Sequence, residues 1–353
     1  MRILVTGHLG YIGAVLAPLL ASSGHEVAGF DADLYRGCDF GPEPSGVVGR
    51  IGDVRDVRAG DLAGYDAIVH LAALSNDPLG SFDPALTLDV NAEGTLSLAR
   101  AAREAGVRRF IFASSCSMYG ASGTDDALDE SAPLRPLTAY AESKVRAEEG
   151  LFALAGADFA PVSMRNATVF GASPRLRLDI VLNNLVAWAH TTGRIRLLSD
   201  GTAWRPLIHV RDLAKTALAL LDAPEDRIRG EAFNVGNDAQ NYLVRDLAQI
   251  VSSVTGCDVE MAEGSSADDR SYRVDFTKLR TAFPYLQLDW DAERGARELA
   301  SAYRAVNLTL ADFEGDRYVR LRRLVSLIDD DVLDADFRRR SDRPDPARQP
   351  ASG

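Results

Sequence analysis

"RILVTGHLGYIGAVLAPLLASSGHEVAGFD", from Arg2 to Asp31, is the stretch that decides the fold. A short β-branched run ends at Gly7 and is typical of a buried strand. The apolar residues after it recur at helical spacing as far as Gly24, a residue that commonly ends a helix. A second β-rich run then ends in Asp31. The stretch therefore predicts a strand–helix–strand unit.

Three glycines, Gly7, Gly10 and Gly13, lie between the first predicted strand and the first predicted helix. Glycine permits a tight turn and a close approach of the backbone to a pyrophosphate, which sits at the helix N-terminus. Asp31, about 20 residues further on, is placed to bind both ribose hydroxyls of a dinucleotide, which favours NAD over NADP. Arg36 lies close enough to accept a 2′-phosphate, so NADP remains open.

Strands and helices continue to alternate after this unit. We expect strands in "DAIVHLAA", "RRFIFASS" and "APVSMRNATVFG", and helices in "NAEGTLSLARAAREAG" and "AYAESKVRAEEGLFALAG". Such alternation predicts an α/β fold with a Rossmann-type, doubly wound parallel sheet. We predict a cofactor-binding domain over 1–170, to which the chain returns around 205–236, a smaller substrate-binding lobe mainly over 171–335, and a disordered tail over 338–353.

Composition limits the classes of partner. The 353 residues carry a net charge of −12, which argues against a nucleic-acid or anionic-membrane binder. Three cysteines with no close pair fit a reduced cytoplasmic protein, and the five histidines show no metal-ligand spacing, so we expect no metal. No stretch reaches the roughly 18 apolar residues of a membrane span.

Several motifs together carry a family resemblance: "TGHLGYIG", "GDVRD", "HLAALSNDP", "NAEGT", "SSCSMYG", "YAESK" and "RPLIHVRD". Over Met1 to about Leu279 the chain resembles the extended short-chain dehydrogenase/reductases, and within them the NAD-dependent sugar epimerase/dehydratase group. The resemblance implies NAD as the cofactor, a nucleotide-diphosphate sugar as the substrate, and a homodimer. The cofactor-binding residues that it implies are Gly7, Gly10, Tyr11, Ile12, Gly13, Asp31, Asp53, Val54, Leu71, Ala72, Ala73, Asn91, Tyr140 and Lys144.

"YAESK" places Tyr140 and Lys144 four residues apart, on one face of a predicted helix. A tyrosine that acts as a base at neutral pH needs its pKa lowered by about 3 units, or roughly 4 kcal/mol. We expect the Lys144 ammonium and the positive ring of oxidised NAD to lower it. By resemblance, Tyr140 and Lys144 are catalytic, together with Ser115 of "SSCSMYG".

The motif "SSCSMYG" differs between enzymes of the family that have different activities. The 4,6-dehydratases carry an Asp-Glu pair at the positions of Cys116 and Ser117, and this chain has neither carboxylate. Cys116 follows the strand residue Ser115, so alternation predicts a buried thiol that points away from the substrate. We therefore expect a nucleotide-sugar epimerase that oxidises its substrate transiently, most simply at C4. A nucleotide-sugar oxidoreductase such as a 4-ketoreductase is the alternative, and a dehydratase or a non-catalytic NAD-binding regulator is a weaker one.

The substrate-binding residues that the resemblance implies are Ser75, Ser117, Thr168, Arg205 and Arg270. Arg205 matches the arginine that contacts the nucleotide diphosphate, for which a planar guanidinium is well suited. Trp204 either stacks on a base or sugar or belongs to the core. Arg175 and Arg177 either bind a substrate that carries an extra negative charge or are solvated. The segment after residue 308 exceeds the family unit, and its spacing predicts a helix against the substrate lobe.

Overall fold

The computed structural model describes residues 1–41, 47–121, 126–266 and 271–340. The strands are β1 Arg2–Thr6, β2 Glu26–Asp31, β3 Gly49–Ile51, β4 Ala67–His70, β5 Arg109–Ser115, β6 Ala127–Leu128, β7 Ala160–Asn166, β8 Thr168–Phe170, β9 Arg194–Ser199, β10 Trp204–His209, β11 Glu231–Val235, β12 Asn241–Leu243, β13 Asp258–Ser266 and β14 Arg273–Val274. The helices are α1 Gly13–Ser22, α2 Asp77–Phe82, α3 Pro84–Leu88, α4 Gly94–Glu104, α5 Ala139–Ala153, α6 Val181–Thr192, α7 Val210–Asp222, α8 Glu225–Ile228, α9 Val244–Thr255, α10 Thr277–Ala282, α11 Ala292–Ala305, α12 Leu310–Glu314 and α13 Arg320–Asp329.

The large sheet has seven strands in the order β11-β7-β5-β4-β1-β2-β3, and every pairing in it is parallel. Its central strands are continuous apolar runs, because helices cover both faces of the sheet. The strand order reverses between β1 and β4, and in doubly wound sheets ligands bind at such a switch point. The predicted α/β fold class is confirmed.

The segment "APVSMRNATVFG" forms two strands, where the sequence predicts one. β7 pairs with β5 and β11 in the large sheet, whereas β8 pairs with β10 in a three-stranded sheet of order β12-β10-β8. The chain changes sheets at Ala167, whose N–H donates to the Val235 carbonyl at 3.0 Å. The two sheets therefore diverge at one residue, and residues 166–169 around that point line a cleft between them.

The part of the chain that returns to the large domain is shorter than the predicted range 205–236. α7 packs on α1 and β5, and β11 joins the large sheet, but β10 belongs to the small sheet. A second core holds α6, α9 and α11 together through residues such as Leu185, Leu247 and Leu299. This core is the smaller lobe.

The end of the chain packs in two places. Phe313 of α12 meets Trp188 of α6 edge-on, with ring centroids 5.0 Å apart, so this part covers the small lobe as predicted. α13 instead packs against Leu74, Leu79 and Leu86 of the large domain, a correction to the prediction. We call residues 320–340 the C-terminal segment. Arg338 at its end pairs with Asp56, so the tail predicted as disordered from residue 338 begins within ordered structure, while 341–353 lie outside the described residues.

None of the helices in the described ranges is long and apolar enough to cross a bilayer.

Candidate active site

One cleft of about 460 Å³ opens at the carboxyl ends of the central strands. We call its two sides the sheet wall and the lobe wall. The sheet wall comes from the loops after β1, β2, β3, β4 and β5 and from the start of α5. The lobe wall is formed by Thr168, Val169, Arg177, Asp179, Ile180, Val181, Arg205, Tyr272, Arg320 and Phe337.

The glycine loop forms the floor of the sheet wall. Gly7 has φ +75°, and a Cβ there would lie 2.7 Å from the backbone nitrogen of Ala72 at the end of β4. A Cβ on Gly13 would lie 2.2 Å from the carbonyl oxygen of Gly7. Backbone atoms cannot move aside for either methyl group, so the loop stays flat under the N-terminus of α1. Gly7, Gly10, Tyr11, Ile12 and Gly13 all line the cleft.

Asp31 stands beside this loop at the end of β2. Its carboxylate accepts hydrogen bonds from the backbone N–H groups of Leu9 at 2.9 Å and Asp33 at 2.8 Å. Burial raises the pKa of Asp31, and these two donors oppose that effect. Arg36, the residue that could accept the 2′-phosphate of NADP, forms an ion pair with Asp33 at 2.6 Å.

His8, the residue after Gly7, fills the space below the loop. Its side chain is 5% exposed, and Cβ atoms at Gly29 and Gly49 would each lie 2.2 Å from its imidazole ring. Burial lowers the pKa of His8, so the ring is held neutral. The two glycines on the neighbouring strands are therefore required by the volume of this ring.

Asp53 and Val54 line the next part of the sheet wall. The Asp53 carboxylate accepts from the Arg55 guanidinium at 2.6 Å and from the Arg55 backbone N–H at 2.9 Å. Leu71, Ala72 and Ala73 continue the same wall.

Asn91 differs from the other predicted cofactor residues. Its side chain is fully buried and is absent from the described cleft lining. Its amide oxygen accepts from the Leu74 N–H at 2.8 Å, and its amide nitrogen donates to the Leu74 carbonyl at 3.0 Å and the Ser143 hydroxyl at 3.1 Å. The structure thus places Asn91 behind the wall, where it fixes the loop that follows β4 to helix α5.

Tyr140 and Lys144 lie in the first turns of α5, which Thr138 caps by accepting from the Ala141 N–H at 3.1 Å. The Lys144 ammonium donates to the Ala113 carbonyl at 2.8 Å and lies 5.8 Å from the Tyr140 ring centre. The Ser115 side chain lies close enough to the Tyr140 hydroxyl to lower its pKa. The structure therefore brings the three predicted catalytic side chains together.

The pKa values of this group differ from the sequence-based expectation. Burial raises the pKa of Tyr140 to about 12, with Asp77 adding to the rise, and Arg177 and the Ser115 side chain only partly oppose it. Burial also lowers the pKa of Lys144 to about 7. The chain's own Lys144 does not lower the Tyr140 pKa below its usual value, because the desolvation of both groups outweighs their mutual interaction.

Cys116 and Ser117 face opposite ways, although β5 ends at Ser115 and both residues begin a short 3-10 helix over Cys116–Tyr119 and not a strand. The Cys116 thiol is fully buried, donates to the Arg165 carbonyl at 3.0 Å, and has its pKa raised by burial. Ser117 lines the cleft, and its hydroxyl oxygen is buried without a hydrogen-bond partner among the described residues. The prediction that Cys116 points away from the site is confirmed.

Arg177, whose role the sequence left open, forms a pair with Asp179 on the lobe wall. The guanidinium binds the carboxylate with two contacts of 3.0 Å and reaches the Ser75 hydroxyl at 3.3 Å. Asn76 donates to the same carboxylate at 2.6 Å. Burial alone would raise the pKa of Asp179, but Arg177 holds it below its usual value. Arg177 is therefore a paired cation inside the cleft and not a solvated one.

Thr168 and Arg205 also line the lobe wall, and Arg205 donates to the Trp204 carbonyl at 2.8 Å. Trp204 packs against the guanidinium of Arg273, 4.9 Å from the ring centre, and it is not part of the described cleft lining. The predicted Arg270 lies outside the described residues.

Sequence reasoning missed many of the lining residues, and four of them matter most for the cleft: Asn166, Tyr272, Arg320 and Phe337. No pattern marks Arg320 or Phe337, because they reach the cleft from a segment far along the chain. Unpartnered buried polar atoms identify two of the four: the Asn166 amide oxygen and Nη1 of Arg320.

The residues present fit a bound dinucleotide. The glycine cradle leaves room for a diphosphate at the α1 N-terminus, Asp31 is placed for a ribose, and the unpartnered atoms of Ser117, Asn166 and Arg320 are available to ligand groups. Within the described ranges, no group of three or more His, Cys, Asp or Glu side chains could hold a metal ion.

Comparison with known proteins gives a consistent picture. The model of the NAD dependent epimerase/dehydratase family matches residues 3–236. A UDP-glucose 4-epimerase of Streptomyces lividans is 33% identical over 283 residues, which are 72% of this chain and 81% of that protein. A UDP-glucose 4-epimerase of Bacillus subtilis is 27% identical and covers 85% of this chain and 95% of its own length.

Among solved structures, MoeE5 in complex with UDP-glucose and NAD has a TM-score of 0.74 and 27% identity, over 86% of this chain and 99% of that one. The NAD-dependent NDP-hexosamine 5,6-dehydratase TunA, involved in tunicamycin biosynthesis, has a TM-score of 0.76 and 25% identity, over 86% and 98%. A UDP-galactose 4-epimerase structure also matches, with a TM-score of 0.71 and 27% identity over 85% of this chain and 99% of that one, so solved structures with this fold include an epimerase and a dehydratase.

Proposed function

Since this chain belongs to the NAD-dependent epimerase/dehydratase family, we propose that it inverts C4 of a UDP-sugar through a transient 4-keto intermediate. The predicted family, the NAD cofactor and the nucleotide-sugar epimerase and oxidoreductase class of enzyme are confirmed by the comparisons. The observation that carries the finer proposal is the juxtaposition of Tyr140 and Ser115 beside Lys144, with Ser117 unpartnered among the described residues of the same cleft.

The chemistry that bound NAD supplies is reversible hydride transfer at the carbinol carbon of the sugar. Tyr140 accepts the proton of the sugar hydroxyl and later returns it, while Ser115 orients that oxygen through its own hydrogen bond. Protonated Lys144, held by the Ala113 carbonyl, favours the phenolate of Tyr140. Ser117 offers a second hydroxyl to the sugar.

The carboxylates of the cleft argue against dehydration, which requires a proton donor for the departing hydroxyl. Asp179 is bound by Arg177 and its pKa is lowered, so it is ionised at neutral pH. Asp77 accepts from the Thr138 hydroxyl at 2.6 Å. Neither carboxylate follows Ser115 on the strand loop, where Cys116 and Ser117 stand. The site therefore retains the groups that hydride transfer needs and lacks the added acid pair.

The decisive experiment uses the purified full chain without added cofactor. Incubation with UDP-glucose or UDP-galactose is expected to give a product of unchanged mass and altered chromatographic mobility, with NAD released on denaturation. A panel of dTDP-, GDP- and CDP-sugars serves as the specificity control. Turnover that appears only when NADH or NADPH is added to a 4-keto sugar would replace the epimerase by the 4-ketoreductase alternative.

Two further features belong to the proposal. We infer a homodimer, as the family resemblance implies, and a cytoplasmic protein, in keeping with the unpaired Cys38, Cys116 and Cys257. Size-exclusion chromatography with light scattering measures the first directly.

A further inference from the structure

Arg320 is an unusual cation for its surroundings. It begins α13, outside the residues 3–236 that the family model matches. It is 2% exposed, and Nη1 of its guanidinium has no hydrogen-bond partner in the described part of the chain. A buried guanidinium with an unsatisfied donor is costly unless an anion completes it.

No carboxylate among the described residues forms an ion pair with Arg320, although Asp179 is near enough to act on its charge. Its guanidinium lies 3.8 Å from the ring centre of Tyr35, and Nη2 donates to the Arg175 carbonyl at 3.1 Å. Asp179 is engaged by Arg177 through two contacts of 3.0 Å. Burial lowers the pKa of Arg320 and the like charge of Arg177 adds to that effect, while Tyr35 and Asp179 oppose it only in part, so the group is a desolvated positive charge.

The position of Arg320 points to the diphosphate of the cofactor. Tyr35 is in the loop that follows Asp31 on the ribose side of the cleft. Arg175 belongs to a loop that is tied to the glycine loop, because the Ser173 hydroxyl donates to the Tyr11 carbonyl at 2.7 Å. Arg320 therefore lines the cleft beside the loop that would carry the diphosphate on the α1 N-terminus.

The rest of the C-terminal segment holds Arg320 against the cleft. Leu324 and Leu327 pack on Leu74 and Leu79 of the large domain. Arg338 pairs with Asp56 at 2.5 Å and lies 3.8 Å from Asp53, which is itself in the cleft lining. Two ends of the segment are thus anchored, one by apolar packing and one by charge.

We propose that Arg320 binds the diphosphate of NAD together with the glycine loop, so that the C-terminal segment retains the cofactor in the cleft. A planar guanidinium matches two phosphate oxygens, and Nη1 is the donor left free for them. Because the segment also covers the wall at Asp53, release of NAD requires it to move. The inference rests on NAD as the cofactor and does not depend on which sugar is bound.

The test measures cofactor binding directly. Full-length wild type, Arg320→Gln and Arg320→Lys are stripped of NAD, and NAD affinity is measured by titration calorimetry at two salt concentrations. Arg320→Gln is expected to weaken NAD binding by on the order of tenfold to a hundredfold and to reduce its salt dependence. Arg320→Lys keeps the charge and loses the planar guanidinium, so its NAD affinity is expected to lie between those of the wild type and Arg320→Gln.

Arg322→Gln is the matched control, because Arg322 lies on the same helix, is exposed, and contacts only the Glu314 carbonyl among the hydrogen bonds described. It is expected to bind NAD like the wild type. Unchanged NAD affinity in both Arg320 variants overturns the proposal. Unchanged NAD affinity with a raised KM for the nucleotide sugar also overturns it, and assigns Arg320 to the substrate diphosphate. A variant that unfolds is identified by its melting curve, and Arg320→Lys then carries the test.

Discussion

The sheet wall and the lobe wall of the cleft are built on different principles. The sheet wall is made of short loops after parallel strands, with close backbone approaches such as that of Gly7 to Ala72. The lobe wall gathers side chains from distant parts of the chain, and charge pairs such as Arg177–Asp179 hold it. A site of this kind has one wall determined by topology and one determined by tertiary electrostatics. Substitutions on the first should therefore affect chemistry, and those on the second should affect stability and ligand retention.

The largest effect is expected on the sheet wall. Tyr140→Phe removes the proton-transferring hydroxyl and keeps the ring, so kcat should fall by about a thousandfold while bound NAD remains. Steady-state kinetics and the NAD content of the purified variant measure both quantities. Tyr285→Phe is the control, because Tyr285 is 66% exposed and its ring meets Phe283 only at the edge. A Tyr140 variant with more than a tenth of the wild-type kcat would assign the base to another group.

On the lobe wall, breaking the Arg177–Asp179 pair is expected to reduce the stability of the protein. Arg177→Gln removes the ion-pair partner of Asp179, whose side chain is 13% exposed, and should cost about 3 kcal/mol in urea unfolding. The double variant Arg177→Gln, Asp179→Asn should recover much of this. Because the folded pKa of Asp179 lies below its unfolded value, the contribution of the pair is complete above about pH 4 and is lost as pH falls through the folded pKa.

Arg194→Gln is the matched control for this pair. Arg194 contacts Glu260 at 2.8 Å, but the two side chains are 67% and 49% exposed, so little change in stability is expected. Equal losses from the two variants would show that burial does not distinguish the lobe wall from the surface.

Lys144 gives a smaller effect that depends on pH. Its folded pKa is about 7, well below the value of about 10.4 in an unfolded chain. Between these values the unfolded state binds more protons, so the stability of NAD-free protein should rise with pH, by roughly 1.5 kcal/mol from pH 7 to pH 8.5. Urea unfolding at both values tests this, and Lys144→Met should abolish that part of the rise. A fall in stability over the same interval would mean that Lys144 stays charged in the empty cleft.

The smallest effect concerns two adjacent residues that face opposite ways. Cys116→Ser should change kcat by less than about twofold and cost about 1 kcal/mol of stability, because the hydroxyl keeps the bond to the Arg165 carbonyl. Ser117→Ala should lower kcat/KM by about fivefold to tenfold with little change in stability. If Cys116→Ser proved the more damaging to catalysis, the thiol would have to reach the substrate.

The two walls also differ in how far the sequence predicts them. The positions of the glycine loop, Asp31, Ser115, Tyr140 and Lys144 follow from local order along the chain, since each stands at the end of a strand or the start of a helix. The catalytic roles of the last three came from the family resemblance. Asn91 was assigned by resemblance, yet the structure places it behind the wall, because its amide is used by Leu74 and Ser143. A motif thus specifies which residue is needed more reliably than what that residue touches.

The lobe wall was only partly predictable. Thr168 and Arg205 were found through the family resemblance, but no sequence pattern distinguishes one long strand from β7 and β8 with a change of sheet at Ala167. The pairing of Arg177 with Asp179, two residues apart, depends on a loop conformation that spacing does not determine. Arg320 reaches the cleft only because α13 packs on Leu74 and Leu79. Such contacts arise from tertiary packing and leave no local signal.

The imidazole of His8 has a consequence for how sequences of this kind can change over generations. Gly29 and Gly49 are fixed by the ring that fills their space, and not by a backbone conformation that only glycine adopts. The order of substitutions is therefore constrained: a smaller residue must replace His8 before either neighbour can gain a side chain. In descendants that keep the histidine both glycines should persist, and in lineages that lost it the three positions should vary together.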